Sequence, residues 1–362
     1  MVSMKSVIVV GAGQSGIAAA GALSASGWQP VLLESGADAA GSWPHYYDSL
    51  RLFTPSHFNT IAGRKFPGDP NRYPSGTEMA DYLRAAAAEL DCAIHTGARV
   101  SAVAYEAGEY RVRTHQGGEF TGAAVVACTG SFTNPYRPKL PGLVGYTGRV
   151  LHASEYRCPT PFIGKRVVVV GAGNSAVQIA VELAEHAEVT LTSRSVVRYA
   201  TNQPVPAESR LWTVLAAAAR LPFGPLVDHG TVPVLDIGGH RDAIESGRPN
   251  HRDLFVGASG SSLDWASGER EHVDAVILAT GYRPALDYLE PLGALDAHGA
   301  PHQRFGLSRT HRGLGFVGLE YQRTILSATV HGVGRDARYV ARRLTRRVAG
   351  ASRPSWDRDR TP

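Results

Sequence analysis

The sequence predicts an α/β fold of two parallel-sheet units, the second inserted into the first. Three observations carry that expectation. First, two apolar strands run into glycine turns that open helices, Val7-Ile-Val-Val-Gly11-Ala-Gly13-Gln14-Ser15-Gly16 and Val167-Val-Val-Val-Gly171-Ala-Gly173-Asn174-Ser175-Ala176. Second, two later strands end in the same way, Val125-Val-Ala-Cys128-Thr129-Gly130 and Val273-Asp-Ala-Val-Ile-Leu-Ala-Thr280-Gly281. Third, the order of glycine motif, helix, strand, meander and strand into Thr-Gly occurs twice, a partial internal repeat. Strands alternating with helices in this way read as βαβ units with parallel sheets.

The elements follow in order. The first unit covers roughly residues 5 to 40. In its turn the first glycine permits the bend and the second lets the backbone approach a pyrophosphate. The third position, Gly16 here and Ala176 in the second turn, lets helix and strand pack closely. The helix N-terminus then faces the phosphates. An irregular stretch rich in Tyr, Pro and Phe runs from Gly41 to Pro74, and a helix is expected over 77–90, starting at Ser75 or Thr77 with Glu78 in its first turn. Alternating patterns at 99–105, 109–114 and 119–122 predict a small antiparallel meander. The expected boundaries are a first unit over 1–155, an inserted unit over 156–282, and a return to the first over 283–362, with the segment from Gly313 to Leu344 rejoining it. Thr201 to Arg252 is less nucleotide-like; its apolar helix candidate at 210–221 reads as a packing helix or a channel wall.

One glycine turn alone is weak evidence, since such turns also serve structural ends. Two in strand–turn–helix context point to two Rossmann-like dinucleotide-binding domains, and so to electrons passing between two nucleotides. The residues beyond each turn distinguish them. Glu34 ends the second strand of the first unit, 18 residues beyond Gly16. A carboxylate there accepts ribose hydroxyls and repels a 2′-phosphate, which fits FAD. In the second unit Val189-Thr-Leu-Thr192 leads to Ser193 and Arg194 with no acid. Equal spacing sets Arg194 against Glu34, and a shift of two residues sets Thr192 there. In either register a carboxylate is lost and a guanidinium gained, which favours NADPH over NADH; a surface arginine at a strand end is the plainer alternative.

Composition agrees with a two-domain enzyme of 362 residues. The net charge of +5 is local: Arg338, Arg342, Arg343, Arg346 and Arg347 crowd one C-terminal helix, and Arg353, Arg358 and Arg360 follow in a tail. These read as a solvated helix face and a frayed end. Without interleaved aromatics or a recognisable module they do not predict nucleic-acid binding. Cys92, Cys128 and Cys158 are odd in number, contain no CxxC, and predict neither a disulfide scaffold nor a metal site. The apolar N-terminal run is too short and too broken by glycine to span a bilayer, so a cytoplasmic protein without membrane contact is expected.

Together these motifs resemble the class B flavin-dependent monooxygenases, the group of flavin-containing monooxygenases, Baeyer–Villiger monooxygenases and plant auxin-forming enzymes. Tyr146-x-Gly148-xxx-His152-xxx-Tyr156 is similar to the group's linker signature, with Tyr at 146 where Phe is usual. Ala127-Cys128-Thr129-Gly130, Asn134-Pro135-xx-Pro138-xx-Pro141-Gly142 and Ala279-Thr280-Gly281-Tyr-Arg-Pro284 resemble its strand ends and connector. Gly41-Ser42-Trp43 resembles a segment near the flavin, and Gly332-Val-Gly-Arg-Asp336 a helix start facing the flavin pyrimidine. The likeness spans about residues 5 to 345.

The resemblance implies a glutathione-reductase-like arrangement of FAD and NADPH domains, as monomer or homodimer. It implies a monooxygenase that forms a C4a-(hydro)peroxyflavin from O2 and oxygenates nitrogen, sulfur or a carbonyl of a small organic substrate. Tyr156 and the short chain tilt this toward heteroatoms. No acid–base triad is required, because the cofactor carries the hard chemistry. His152 is the implied link between domains, and Asn59 the nearest counterpart of an asparagine beside the flavin, against a loop-capping role. Trp43 walls the flavin or belongs to the core, and Arg51 meets flavin or pyrophosphate or points to solvent. A disulfide- or ferredoxin-reductase-like electron transferase without oxygen insertion is the alternative. The missing CxxC and the His152 linker count against it. A non-catalytic nucleotide-binding redox sensor has no need of the Thr-Gly strand ends.

Overall fold

A computed structural model describes residues 5–218, 220–226 and 233–351. β1 (Lys5–Val10) is followed by α1 (Gln14–Ser24) and β2 (Trp28–Leu33), which lies parallel to β1 with Val10 opposite Leu33. Val7, Ile8, Val9 and Val10 are all buried, as expected of a central strand covered on both faces. α2 spans Gly76–Ala88. Its start is set by a capping box: Glu78 N–H donates to Ser75 Oγ at 3.1 Å, and Ser75 N–H donates to Glu78 Oε2 at 2.8 Å.

β3 (Ala93–His95) extends the sheet beyond β2; β4 (Val100–Glu106), β5 (Glu109–Thr114) and β6 (Glu119–Gly122) form the antiparallel meander; β7 (Ala124–Ala127) returns beside β1. The chain then leaves for a second sheet. β8 (Arg149–His152) is its edge, followed by β9 (Arg166–Val170), α3 (Asn174–Ala184) and β10 (Glu188–Ser193). The expected boundary at 155 placed β8 in the first unit; its parallel pairing with a strand of the second sheet moves the crossover ahead of Arg149.

α4 (Arg210–Ala218) realises the apolar helix candidate, followed by α5 (His240–Glu245) and β11 (Asn250–Asp253) at the far edge. A second meander, β12 (Gly257–Ser259), β13 (Ser262–Asp264) and β14 (Arg270–His272), leads into β15 (Ala275–Leu278) between β9 and β8. The chain re-enters the first unit when Leu286, Tyr288, Leu289 and Leu292 pack with Ile8, Val10 and Val125.

β16 (Gln303–Arg304), β17 (Leu307–Ser308) and β18 (Leu314–Phe316) complete a first sheet of order β16-β17-β18-β7-β1-β2-β3, beside a second of order β11-β10-β9-β15-β8. α6 (Val330–Ala351) closes the first unit by packing Val333, Ala337, Val340, Ala341 and Leu344 into the core that α1 and α2 share. In each sheet the glycine-turn strand is flanked by parallel neighbours on both sides. The turns therefore emerge at the carboxyl ends of the strands, where open α/β sheets bind ligands. Arg353, Arg358 and Arg360 of the predicted basic tail lie outside the described residues.

Candidate cofactor and active site

Both glycine turns open into one cavity of about 1600 Å³, lined from both sheets. Backbone geometry explains the first turn. Gly11 has φ +99°, and a Cβ there would stand 2.8 Å from the Cys128 carbonyl oxygen. A Cβ on Gly16 would sit 1.8 Å from the Gly11 oxygen, so only glycine lets α1 lie this close to its turn. Gly13 meets the backbone of Gly41: its Cβ would lie 3.4 Å from the Gly41 Cα.

In the second turn Gly171 is equally confined, with a Cβ 2.3 Å from the Ala279 oxygen. Gly173 differs, because nothing lies within 4 Å of where its Cβ would be. Neither α1 nor α3 has a side-chain cap at its N-terminus. Two uncapped helix starts beside bare backbone are the donor set a pyrophosphate needs, and the residues present fit two dinucleotides.

Gln14, Ser15, Asn174 and Ser175 line the cavity at these helix starts. Gln14 also ties the site together: its Nε2 donates to the Ala328 carbonyl at 2.7 Å, and its Oε1 accepts from Trp43 Nε1 at 3.1 Å. Trp43 lines the cavity while packing on the core. Asn174 Oδ1 accepts the Leu235 N–H at 3.0 Å. Thr129-Gly130 and Thr280-Gly281 end β7 and β15 at the cavity. The Thr129 hydroxyl donates to the Ala285 carbonyl at 2.6 Å, and that of Thr280 to Tyr136, so each strand end is fastened to a neighbouring loop. Arg51 is exposed at the cavity edge, where its backbone bridges to Ser75.

Glu34 is buried at the end of β2. Its carboxylate accepts the Ala12 and Gly36 amides, each at 2.7 Å, which fixes it beneath the first turn. The second unit has a different register from either sequence alternative. Gly11 N–H donates to the Leu33 carbonyl, and Gly171 N–H donates to that of Thr192. Ser193 therefore occupies the place of Glu34, and Arg194 follows one residue beyond. Arg194 is exposed, lines the cavity, and has no acidic partner among the described residues.

Three expected residues stand away from the cavity. His152 is fully buried. Its Nε2 lies 3.1 Å from the Gly281 carbonyl, and its Nδ1 accepts the Ser154 N–H at 3.1 Å. A carbonyl only accepts, so Nε2 carries the hydrogen and the ring is neutral. Burial lowers the proton affinity of this ring, and the Gly281 bond opposes that only in part. His152 thus positions the Thr280-Gly281 strand end and touches no ligand space. Asn59 is likewise fully buried. Its amide is consumed by Thr54 Oγ1 and by the Thr54 and Pro55 carbonyls, which makes it the loop cap. Asp336 is buried on the first turns of α6, where it accepts from Arg323 Nε at 2.8 Å, and it does not line the cavity.

A further wall went unread in the sequence. Tyr46, Phe132 and Tyr282 line the cavity, with ring centroids 4.6 Å apart for Tyr46–Phe132 and 5.4 Å for Phe132–Tyr282. Tyr47 donates to Gln178 Oε1 of α3 at 2.6 Å, spanning the two units. Among the described residues there is no cluster of potential metal ligands, and no helix is long and apolar enough to cross a membrane. The arrangement sets two uncapped helix N-termini, each suited to an anion, in one partly apolar cavity.

Comparison with known proteins agrees with this geometry. The pyridine nucleotide-disulphide oxidoreductase family matches residues 8–213. An uncharacterized CzcO-like oxidoreductase of Geobacillus kaustophilus is 30% identical over 339 residues, covering 92% of this chain and 96% of its own. The indole-3-pyruvate monooxygenase YUCCA1 of Oryza sativa subsp. japonica is 31% identical over 313 residues, covering 76% of each. The structure of a flavin-containing monooxygenase from Stenotrophomonas maltophilia superposes with a TM-score of 0.82 at 30% identity, covering 95% of this chain and 99% of that one.

Proposed function

The chain belongs to the class B flavin-dependent monooxygenases, and from that premise we propose that its first glycine turn holds FAD and its second NADPH. It is an FAD- and NADPH-dependent enzyme that inserts one oxygen atom of O2 into an organic substrate. The single observation that carries the assignment of sites is that both turns face one cavity, with a buried carboxylate beneath the first and an unpaired Arg194 beside the second.

Bound at the first turn, FAD would supply the redox chemistry, hydride acceptance from NADPH and activation of dioxygen. The chain's own residues bind, orient and exclude water. The α1 and α3 N-termini receive the pyrophosphates, Glu34 the ribose of FAD, and Ser193 with Arg194 the 2′-phosphate of NADPH. His152 and Thr280 hold the β15 strand end at the cavity. Trp43, Tyr46, Phe132 and Tyr282 give the cavity an apolar wall, the side on which a reacting centre would be shielded from water.

The substrate is a small molecule oxygenated at nitrogen, sulfur or a carbonyl, and the same aromatic wall favours one with a planar apolar portion. The enzyme works in the cytoplasm as a monomer or homodimer. The test is to reduce flavin-loaded protein anaerobically with NADPH, admit oxygen without substrate, and follow flavin absorbance. A delayed return of the oxidised spectrum with little hydrogen peroxide supports the reading. Immediate return with equimolar peroxide overturns it in favour of an electron transferase.

A further inference from the structure

The cavity does not use the opposite face of α6. There six arginines, Arg323, Arg335, Arg338, Arg342, Arg343 and Arg346, surround a separate basin of about 460 Å³ with Tyr339 in its floor. Their spacing explains the stripe: residues three, seven and eleven beyond Arg335 return to one side of an α-helix, about 16 Å along its axis. No carboxylate lines the basin. Asp336 lies buried beneath it and is paired with Arg323 alone. Arg338, Arg342 and Arg346 have no ion pair among the described residues, and Arg323 and Arg343 both lie over the Tyr339 ring, at 5.3 and 5.6 Å. Burial, together with neighbouring guanidiniums, pushes the Arg335 proton affinity down. Among the described residues the basin concentrates positive charge whose one ion pair is that of Arg323 with Asp336.

Beside it stands an apolar projection. Leu221, Phe223 and Leu226 are exposed by 50, 53 and 80%, and Val214 on α4 by 63%. This segment is held firmly. Gly224 N–H donates to the Arg323 carbonyl at 3.0 Å, and a Cβ on Gly224 would lie 2.4 Å from the Tyr321 oxygen. Arg335 reaches the Ala216 carbonyl at the end of α4. Phe223 thus adjoins the residue hydrogen-bonded to the Arg323 carbonyl, and Arg220 adds to the positive charge felt by Arg335. The loop from Gly318 to Val330, which contributes Arg323, also lines the main cavity through Tyr321 and Ile325.

We infer that this face is a docking surface for an anionic lipid bilayer, with Leu221, Phe223 and Leu226 entering the interface and the arginine basin holding phosphate headgroups. Each half alone has a plainer reading, as a solvated helix face or a few stray apolar side chains. Side by side they have the composition of an interfacial anchor, in which apolar residues enter the acyl boundary and cations meet acidic headgroups. A soluble phosphate ligand accounts for the basin but leaves the apolar projection unexplained, and the bilayer accounts for both. Docking here sets the cavity loop against the bilayer, a route for sparingly soluble substrates.

The test is co-sedimentation of the full-length, flavin-loaded protein with vesicles of phosphatidylcholine alone or mixed with phosphatidylglycerol. Binding is expected only to the anionic vesicles and is expected to weaken with salt. A triple change of Arg338, Arg342 and Arg346 to Ala is expected to reduce it by roughly 100-fold, leaving flavin content unchanged. Because that variant tests charge alone and alters three sites, Phe223→Ser is measured beside it. It is expected to weaken binding roughly tenfold while leaving the salt dependence intact. Equal binding to both vesicle types, or none to either, overturns the inference. So does binding of duplex DNA in protein that ignores vesicles.

Discussion

His152 Nε2 donates to the carbonyl of Gly281, 129 residues away, and thereby joins the end of edge strand β8 to the end of its neighbour β15 at the cavity. The bond requires a neutral ring, and burial lowers its proton affinity below the ordinary value near 6.5. A histidine with a depressed folded pKa binds its proton more readily when unfolded. Its contribution to stability is therefore complete above pH 6.5 and is lost as pH falls from there through the folded value. The melting temperature of the protein, compared with that of His152→Gln, is expected to show a difference that narrows below about pH 6.5. A difference independent of pH rejects this account. At neutral pH the variant is expected to lose about 1–3 kcal/mol.

The two glycine turns predict contrasting variants. Gly11→Ala drives a Cβ into the Cys128 carbonyl at a positive φ, so FAD retention and folding stability should fall together. Gly173→Ala points its Cβ into open space, so the melting temperature should hold. What changes is the approach of the pyrophosphate: KM for NADPH is expected to rise roughly tenfold or more while flavin content stays full. An unchanged KM would remove Gly173 from the nucleotide site.

How much was legible follows from the range of each signal. The glycine turns, the Thr-Gly strand ends and the Ser75–Glu78 box are short local patterns whose chemistry is complete within a few residues. The wall of Tyr46, Phe132 and Tyr282 is assembled from three distant segments and leaves no periodicity to read. Asn59 and Asp336 carry chemically suitable groups, but tertiary packing spends those groups on local partners. For Arg194 the residue count misled, because register is set by which amides pair. Lys5 stands opposite Trp28 six residues before Gly11, whereas Arg166 stands opposite Glu188 five residues before Gly171.

That register makes cofactor preference testable at two adjacent positions. Arg194→Ala removes a charge-assisted contact of about 1.5–3 kcal/mol and should raise KM for NADPH about 10- to 100-fold with little effect on NADH. Ser193→Glu places a carboxylate where the first unit has Glu34, and should repel the 2′-phosphate while accepting the ribose hydroxyls of NADH. Steady-state kinetics with both nucleotides decide the matter. Equal losses with NADH and NADPH in either variant would show that this corner does not read the phosphate.

Asp336 separates a flavin contact from a structural ion pair. Its carboxylate is 1% exposed and accepts from Arg323 Nε, while the second oxygen has no partner. The Arg323 side chain is itself only 15% exposed, so Asp336→Ala leaves a largely desolvated cation without its counter-charge. Breaking a buried pair from one side costs roughly 3 kcal/mol or more, because the remaining charge stays buried. Asp336→Asn keeps the shape and one acceptor, and is expected to lose less. Both variants, once folded, should bind FAD at the full ratio and oxidise NADPH at the parent rate, since Asp336 lies outside the cavity. Flavin-to-protein absorbance ratios taken on the folded fraction, with melting curves on the same samples, test this directly. A variant that melts normally but has lost its flavin would return Asp336 to the cofactor site.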